Sequence, residues 1–384
     1  MKPLMQQYPT IDDLAVRSRK RLPAFSISYL EGGAGRETSL ARNTNAFDDI
    51  ELTPRYLTDV SKVSTKTTLF GRSWDQPFGI APVGLCGIMW PGTEQFLATA
   101  AKRANIPYGL SIVATNDIES IGAIANDSDG HNGWFQMYTP VDPDIKKDVL
   151  ERATAAGFDV LILTLDVPVP ARRERQIRSG LNIPPRMDLR NIVQTLLHPS
   201  WALATAKAGL PRFRTLERYS FGHNLNDTMA FLSTQLTQAM TLDEIKRIRD
   251  LWPGTLVVKG IMHVDDAKQT ASVGVDGIVV SNHGGRQIDS SPATVPCLPA
   301  IRQSVGPSVS VLLDSGVRSG LDVARALASG ADFVLAGRPF LYGVTALGEP
   351  GADHAIQILS DELVNTMKQI GCVDTNDLDQ RWLS

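Results

Sequence analysis

Ser281-Asn-His-Gly-Gly-Arg-Gln287 sets an imidazole and a guanidinium three residues apart in a glycine-rich turn. The run follows Asp276-Gly-Ile-Val-Val280, whose apolar residues read as the end of a buried strand. A histidine titrates near neutrality and can take up a proton there. An arginine fork can grip a carboxylate with two parallel hydrogen bonds. Two glycines let the backbone approach a flat ligand. These types at this spacing suit acid–base chemistry on a small carboxylic acid. They would also suit a solvated surface loop, so the rest of the chain has to decide between the two.

Other reactive groups close similar apolar runs. The runs end in Ala81-Pro-Val-Gly84, in Ser111, in Gln136 and Tyr138, in Thr164 and Asp166, in Lys259, in Ser281 and His283, in Asp314-Ser-Gly316-Val-Arg318, and in Gly337-Arg338. Gln136 and Tyr138 are two apart, as are Thr164 and Asp166, so each pair points one way from a strand. Gly316-Val-Arg-Ser-Gly320 and Gly337-Arg-Pro339 offer backbone amides, two guanidiniums and a helix start at Ser319, a combination suited to phosphate. A phosphate site with Lys259 near a flat-ligand loop points to a phosphorylated planar cofactor. Spacing alone leaves flavin mononucleotide (FMN) as one candidate among such ligands. No metal-ligand cluster, GxGxxG or P-loop spacing is present.

These groups can meet only if the strand ends share one face. Candidate strands lie at 78–83, 108–111, 134–138, 160–165, 255–259, 277–281, 310–313 and 333–336, separated by amphipathic, Ala-rich stretches such as 93–104, 145–156, 242–251 and 321–328. Short, continuously apolar strands are typical of parallel sheets covered on both faces. Eight of them, each followed by a helical stretch, count out a (β/α)8 TIM barrel, whose active sites lie at the C-terminal strand ends. A doubly wound sheet is the alternative. The 384 residues are expected to form a single domain over 1–384. It comprises an N-terminal helical cap with a hairpin at 1–77, the barrel at 78–384, and a long insert after the fourth strand at 167–240. That insert spends about seventy residues where a barrel loop has a few.

A net charge of −3 leaves no global nucleic-acid footprint. Cys86, Cys297 and Cys372 are widely spaced with no CxxC pair, which argues against a disulfide framework or zinc site and fits a reducing compartment. The first residues lack a signal-like apolar core. No apolar run reaches the roughly 20 residues needed to span a bilayer. A cytoplasmic-side protein is expected.

At these residues the chain resembles the FMN-dependent L-2-hydroxy acid dehydrogenase/oxidase family, which includes glycolate oxidase, L-lactate dehydrogenase and (S)-mandelate dehydrogenase. The motifs are SNHGGRQ, Leu163-Thr-Leu-Asp166, Trp134-Phe-Gln-Met-Tyr138, and DSGVRSG followed by AGRP. The likeness runs from Leu22-Pro23 and Tyr29-Leu-Glu-Gly-Gly33 to Gln369-Ile-Gly-Cys372. It is strongest to the mandelate and L-lactate dehydrogenases, through Leu251-Trp-Pro-Gly-Thr-Leu-Val-Val-Lys-Gly260, His198-Pro-Ser-Trp201 and Ala81-Pro-Val-Gly-Leu-Cys-Gly87. The resemblance implies oxidation of an L-2-hydroxy acid, mandelate-like or lactate-like, to the 2-keto acid, with FMN as cofactor. It makes His283 the base, paired with Asp166. Arg286 and Arg173 bind the substrate carboxylate with help from Tyr29, and Tyr138 bonds the substrate. Pro82, Val83 and Gly84 lie against the flavin. Ser111, Gln136, Thr164, Lys259 and Ser281 hold its ring, Asp314 its ribityl chain, and Gly316, Arg318, Gly337 and Arg338 its phosphate. Two positions depart from the pattern. Ala171 replaces a common glycine before Arg172-Arg173, where its methyl is expected to shift the loop. Val113 replaces an aromatic residue, leaving more room for substrate.

Residues 189–216 hold no acid. They carry Arg190, Lys207, Arg212 and Arg214 among Ile192, Val193, Leu196, Leu197, Trp201, Leu203, Leu210 and Phe213. Such a segment suits an anionic membrane surface, with a lid or subunit contact as the alternative. The resemblance adds peripheral attachment to the cytoplasmic side of the inner membrane, a quinone or other membrane electron acceptor, and a homotetramer. The competing readings are a soluble oxidase producing hydrogen peroxide, an FMN-bound isomerase on the same barrel, and a barrel that only binds a phosphate ligand.

Overall fold

Two short antiparallel strands, β1 (Thr67–Leu69) and β2 (Arg72–Trp74), precede eight parallel ones in the computed structural model: β3 (Phe78–Ile80), β4 (Tyr108–Ser111), β5 (Gly133–Met137), β6 (Val160–Thr164), β7 (Thr255–Ile261), β8 (Gly277–Val280), β9 (Ser310–Leu313) and β10 (Phe333–Ala336). The eight pair in chain order, and β10 closes on β3 through Val334↔Phe78 and Ala336↔Ile80. The expected barrel is therefore the observed one, and an open doubly wound sheet is ruled out. Residues 3–127, 130–181, 188–220, 225–236 and 240–384 are described. Residues 1–2 of the expected cap and 182–187, 221–224 and 237–239 of the expected insert lie outside the described residues.

Alternation along each strand sorts the barrel interior into layers. Trp134, Val160, Ile162, Val257, Val279, Leu312, Phe333 and Leu335 form an apolar core inside the strands, joined by Leu69 and Trp74 of the hairpin. Trp134 is ringed by Phe70, Trp74 and Phe333 at centroid distances of 5.8, 6.2 and 6.2 Å. The hairpin thus plugs one end with aromatic rings, each contributing about 1.5–3 kcal/mol on burial. One step of two residues toward the C-terminal ends replaces apolar side chains by Ser111, Gln136, Thr164, Lys259, Ser281 and Asp314, all buried. The intervening residues, such as Leu161, Val258 and Ile278, face the surrounding helices.

The N-terminal segment supplies α1 (Ile11–Arg21), α2 (Ala24–Glu31) and α3 (Thr38–Asp48). The outer ring is α4 (Thr93–Arg103), α5 (Ile118–Ala125) and α6 (Pro143–Ala155), then, after the insert, α11 (Leu242–Leu251), α12 (Val264–Ser272), α13 (Thr294–Ser304), α14 (Gly320–Ala328), α15 (Arg338–Leu347) and α16 (Pro350–Ile370). The insert itself carries α7 (Glu174–Arg178), α8 (Leu189–Leu197), α9 (Pro199–Ala208) and α10 (Leu225–Gln235). α1 packs on α15, with the Ser18 and Thr345 hydroxyls 2.7 Å apart. α3 buries Ser39, Asn43 and Phe47 at i, i+4 and i+8.

The insert differs from the expected surface-lying segment in one respect. Trp201 and Phe213 are buried. Trp201 meets Phe25 edge-on at 5.3 Å and donates from Nε1 to the Met89 carbonyl at 3.0 Å. These two rings anchor the insert to the barrel, so they are unavailable to a membrane. The opposite side leaves Leu189, Leu196, Leu197, Leu203 and Leu210 between 66 and 77 % exposed. Among the described residues, no helix is long and apolar enough to cross a membrane.

Candidate functional site

A cavity opens at the C-terminal strand ends, lined at its centre by Tyr138, His283, Arg286, Arg173 and Lys259. His283 belongs to a loop that only a few residue types tolerate, with left-handed φ at His283, Gly284 and Gly285. Its amide donates to Ser281 Oγ at 3.1 Å. Its Nδ1 lies 2.8 Å from Asp166 Oδ1, and Tyr138 Oη lies 3.4 Å from Nε2. The Asp166 contact assigns the proton to Nδ1 and leaves the Nε2 lone pair toward the cavity. Burial lowers the His283 pKa, with Lys259 and Arg173 pulling the same way and Asp166 opposing. The resting imidazole is therefore neutral and able to accept a proton. Burial alone would raise Asp166, but His283 and Lys259 hold it below the usual carboxylate range.

Asp166 reaches this position because Gly260 lacks a side chain. The β7–β8 register slips between Val279 and Val280, and at the slip Gly260 has φ +104°, with a built Cβ only 2.6 Å from the Asp166 Cβ. A bulge with a glycine in a left-handed conformation is how a strand re-aims its neighbours. Lys259, one residue earlier, points into the barrel. Its Nζ contacts Asp314 Oδ2 at 2.9 Å and Ser281 Oγ at 2.8 Å. Burial pushes Lys259 down, yet Asp314 and Asp166 outweigh it and keep the ammonium above its ordinary value.

Two arginines share the cavity with His283. Arg286 donates from Nη1 to the carbonyls of Tyr29 and Gly32, at 2.8 and 2.9 Å, and stacks over the Tyr29 ring at 5.1 Å. Its Nε and Nη2 stay free of those bonds. Burial, then Arg173 and Arg338, push its pKa down to about 9, so it stays cationic at neutral pH and would gain from an anion. Arg173 Nε donates to the Arg286 carbonyl and Nη2 to Gln287 Oε1, both at 3.2 Å. Ala171 is not among the residues with left-handed backbone, so its methyl meets no φ strain there. The Tyr29 hydroxyl donates to the Gly84 carbonyl at 3.0 Å.

Gly316, Arg318, Gly337 and Arg338 line the same cavity, and Arg338 shares the Gly32 carbonyl with Arg286. Burial lowers both Arg318 and Arg338, the latter to about 10 with Arg318 as the next cause. Among the described residues, neither forms an ion pair. Arg338 donates to the carbonyls of Leu30, Gly284 and Gly32, which spends three of its five N–H groups. Two uncompensated guanidiniums below the surface call for an anion. The helix start at Ser319 does not supply the expected free amides. Ser319 and Asp322 form a capping box, Asp322 also accepts from the Arg318 amide, and the Gly320 amide donates to Glu362 at 2.7 Å. The uncapped start of α15, at Gly337 and Arg338, is the one that faces the cavity.

A family model described as FMN-dependent dehydrogenase matches residues 18–384. The chain belongs to the FMN-dependent dehydrogenase family. It is 40 % identical to an L-lactate dehydrogenase of Caulobacter sp. (strain K31), over 96 % of this chain and 95 % of that one. It is 38 % identical to a putative L-lactate dehydrogenase of Mycobacterium tuberculosis (strain H37Rv), over 97 and 88 % respectively. The crystal structure of the monotopic membrane protein (S)-mandelate dehydrogenase superposes with a TM-score of 0.92 at 34 % identity, covering 98 % of both chains. A mandelate oxidase structure gives 0.82 at 30 % identity, again covering 98 % of both.

The cofactor is FMN, and the cavity fits it. The unpaired Arg318 and Arg338 suit a phosphate. The Ala81–Pro82–Val83–Gly84 wall suits a flat ring, and Lys259 lines the same space. Of the residues singled out from sequence, Tyr29, Pro82, Val83, Gly84, Tyr138, Arg173, Lys259, His283, Arg286, Asp314, Gly316, Arg318, Gly337 and Arg338 line one cavity. Asp166 and Ser281 reach it through His283 and Lys259. Ser111, Gln136 and Thr164 are buried and not in its lining, chained by Ser111 Oγ to Gln136 Oε1 at 2.6 Å and Gln136 Nε2 to Thr164 Oγ1 at 2.9 Å. Sequence reasoning missed the supports. Asn43 and Asn282 exchange two amide hydrogen bonds of 2.7 Å that tie α3 to the His283 loop. Gln287 bridges Arg173 to the Asp166 carbonyl. Polar residues at i and i+4 on the buried face of α3 were the readable sign of the first.

Proposed function

We propose that this protein oxidises an L-2-hydroxy acid, lactate-like or mandelate-like, to the 2-keto acid. One observation carries the reading: His283, oriented by Asp166 at Nδ1 and with only the Tyr138 hydroxyl at Nε2, lines the same cavity as Arg286 and Arg173. The two guanidiniums take the carboxylate, which fixes one enantiomer with its hydroxyl-bearing carbon toward the imidazole. His283 Nε2 accepts one proton, from that carbon or from its hydroxyl, and Asp166 stabilises the imidazolium that results. Tyr138 bonds the substrate and Tyr29 supports the carboxylate side. FMN, when bound, would supply the acceptor for the two electrons and the second hydrogen. Pro82, Val83 and Gly84 back its ring. Ser111, Gln136, Thr164, Lys259 and Ser281 hold the ring edge, Asp314 the ribityl chain, and Gly316, Arg318, Gly337 and Arg338 the phosphate. Cap (1–77), barrel (78–384) and insert (167–240) act as one unit over 1–384, because Arg286 and Arg338 bond carbonyls of the cap.

Anaerobic mixing with a panel of 2-hydroxy acids, followed by flavin absorbance, tests this directly. Bleaching by L- but not D-acids is expected, and no bleaching by any of them would end the reading. Peroxide formed in proportion to product would replace the dehydrogenase by a soluble oxidase. The pH profile gives a second check. Burial holds His283 below the ordinary imidazole value of about 6.5, so the base stays neutral through that range. The kcat/KM is then flat through neutrality and falls tenfold per unit below the lowered pKa. A decline already complete at pH 7 would contradict the assignment.

The same reading places the protein on the cytoplasmic face of the inner membrane. The exposed leucines of 189–216 lie against lipid and electrons pass to a quinone or similar membrane acceptor. It also includes a homotetramer, as the family resemblance implies. A triple variant Leu189→Gln/Leu196→Gln/Leu203→Gln spares the buried Trp201 and Phe213. At about 1.5–3 kcal/mol for each leucine buried, it should move the protein from the membrane pellet to the supernatant and leave turnover with a soluble dye unchanged. Retention in the pellet would remove this segment as the anchor.

A further inference from the structure

A second cavity, of about 420 Å³, opens beside the exposed leucines of the insert. Arg17, Lys20 and Arg21 line it from the end of α1, Leu197 and His198 from the α8–α9 junction, and Ser200 from the first turn of α9. The cations have little to balance them. Glu31 is taken by Arg19 and Arg175, and Asp13 is spent on the capping box with Thr10. Among the described residues, neither Arg17 nor Lys20 forms an ion pair. Arg21 is fixed in place, stacked on Trp90 at 3.6 Å and donating to the Thr345 carbonyl at 3.1 Å. α9 starts at Pro199 with no side-chain cap. Its first-turn amides have no acceptor in their own helix, and the positive end of its dipole adds to the three cations.

We propose that this cavity binds the phosphate of an anionic phospholipid headgroup. The inference rests on the membrane reading above and adds to it a discrete site of stated chemistry. Leu197 decides between a lipid and a free anion. It is 66 % exposed and belongs both to the cavity wall and to the apolar side of α8. A phosphate seated on Arg17 and Lys20 therefore brings its acyl chains alongside the exposed leucines. A free phosphate would meet the same cations but gain nothing from Leu197.

The test is co-sedimentation of the full-length holoenzyme with vesicles of phosphatidylcholine alone and of phosphatidylcholine with phosphatidylglycerol. Arg17→Gln/Lys20→Gln is compared with Lys62→Gln/Lys268→Gln, which removes two exposed charges elsewhere. At about 1 kcal/mol per basic side chain near an anionic surface, the first pair should cost about 30-fold in affinity for the anionic vesicles. Binding to phosphatidylcholine alone and dye-linked turnover should stay as in the parent, and the second pair should cost little. Equal loss in the two pairs, or no loss in the first, would overturn the site. Failure of the parent protein to bind either vesicle would instead overturn the membrane reading, and the lipid site with it. Displacement from anionic vesicles by inorganic phosphate, beyond that caused by chloride at equal ionic strength, would make the free anion the ligand and overturn the lipid assignment.

Discussion

With His283 replaced by Asn, the purified protein should remain yellow while hydroxy acid reduces its flavin about 10²- to 10⁴-fold more slowly, the usual contribution of a positioned general base. Asn is the informative replacement because His283 has φ +60°. Asn tolerates that left-handed conformation better than most residues, so the turn carrying Gly284, Gly285 and Arg286 survives. The amide still caps onto Ser281 Oγ, and Arg286 still bonds the Tyr29 and Gly32 carbonyls. What disappears is the lone pair at Nε2 and the partner for Asp166. Stopped-flow absorbance under anaerobic conditions reads the rate, and the spectrum before mixing reads cofactor content. Rapid bleaching in this variant would remove His283 from the reaction. Loss of colour would instead show that the turn, not the base, had been damaged.

The barrel was legible because alternation and strand count leave little freedom. Once Val257, Lys259 and Leu312, Asp314 are placed on strands, the second member of each pair must join the polar layer at the C-terminal end. The His–Arg spacing was legible for the same local reason. What escaped depends on contacts between distant segments. Nothing near Asn282 announces Asn43, 239 positions away. Nothing near Gly320 announces that Glu362 will take its amide. The insert misled for a different reason. Its apolar residues were read together as suited to a membrane surface, but Pro199 starts a new helix after His198 and resets the phase. Trp201 then turns inward while Leu196 and Leu203 stay outside.

The fork of Arg286 leads to the second large effect. Its Nη1 hydrogens are committed to two cap carbonyls, leaving Nε and Nη2 as a parallel donor pair on a residue that lines the cavity. Lysine carries the same charge on a single nitrogen, so Arg286→Lys cannot keep the cap bonds and grip both oxygens of a carboxylate. A lost hydrogen bond to a charged group is worth about 1.5–3 kcal/mol, which predicts a rise of about 10- to 150-fold in KM for the hydroxy acid. The Kd of the 2-keto acid, read from the flavin spectrum, should rise by a similar factor. FMN itself should stay bound, because the proposed phosphate contacts are made by Arg318 and Arg338 and not by Arg286. Parallel loss of substrate and FMN would mean that Arg286 serves mainly to pin the cap. A KM unchanged beside a lower kcat would mean that the carboxylate is held by Arg173 alone.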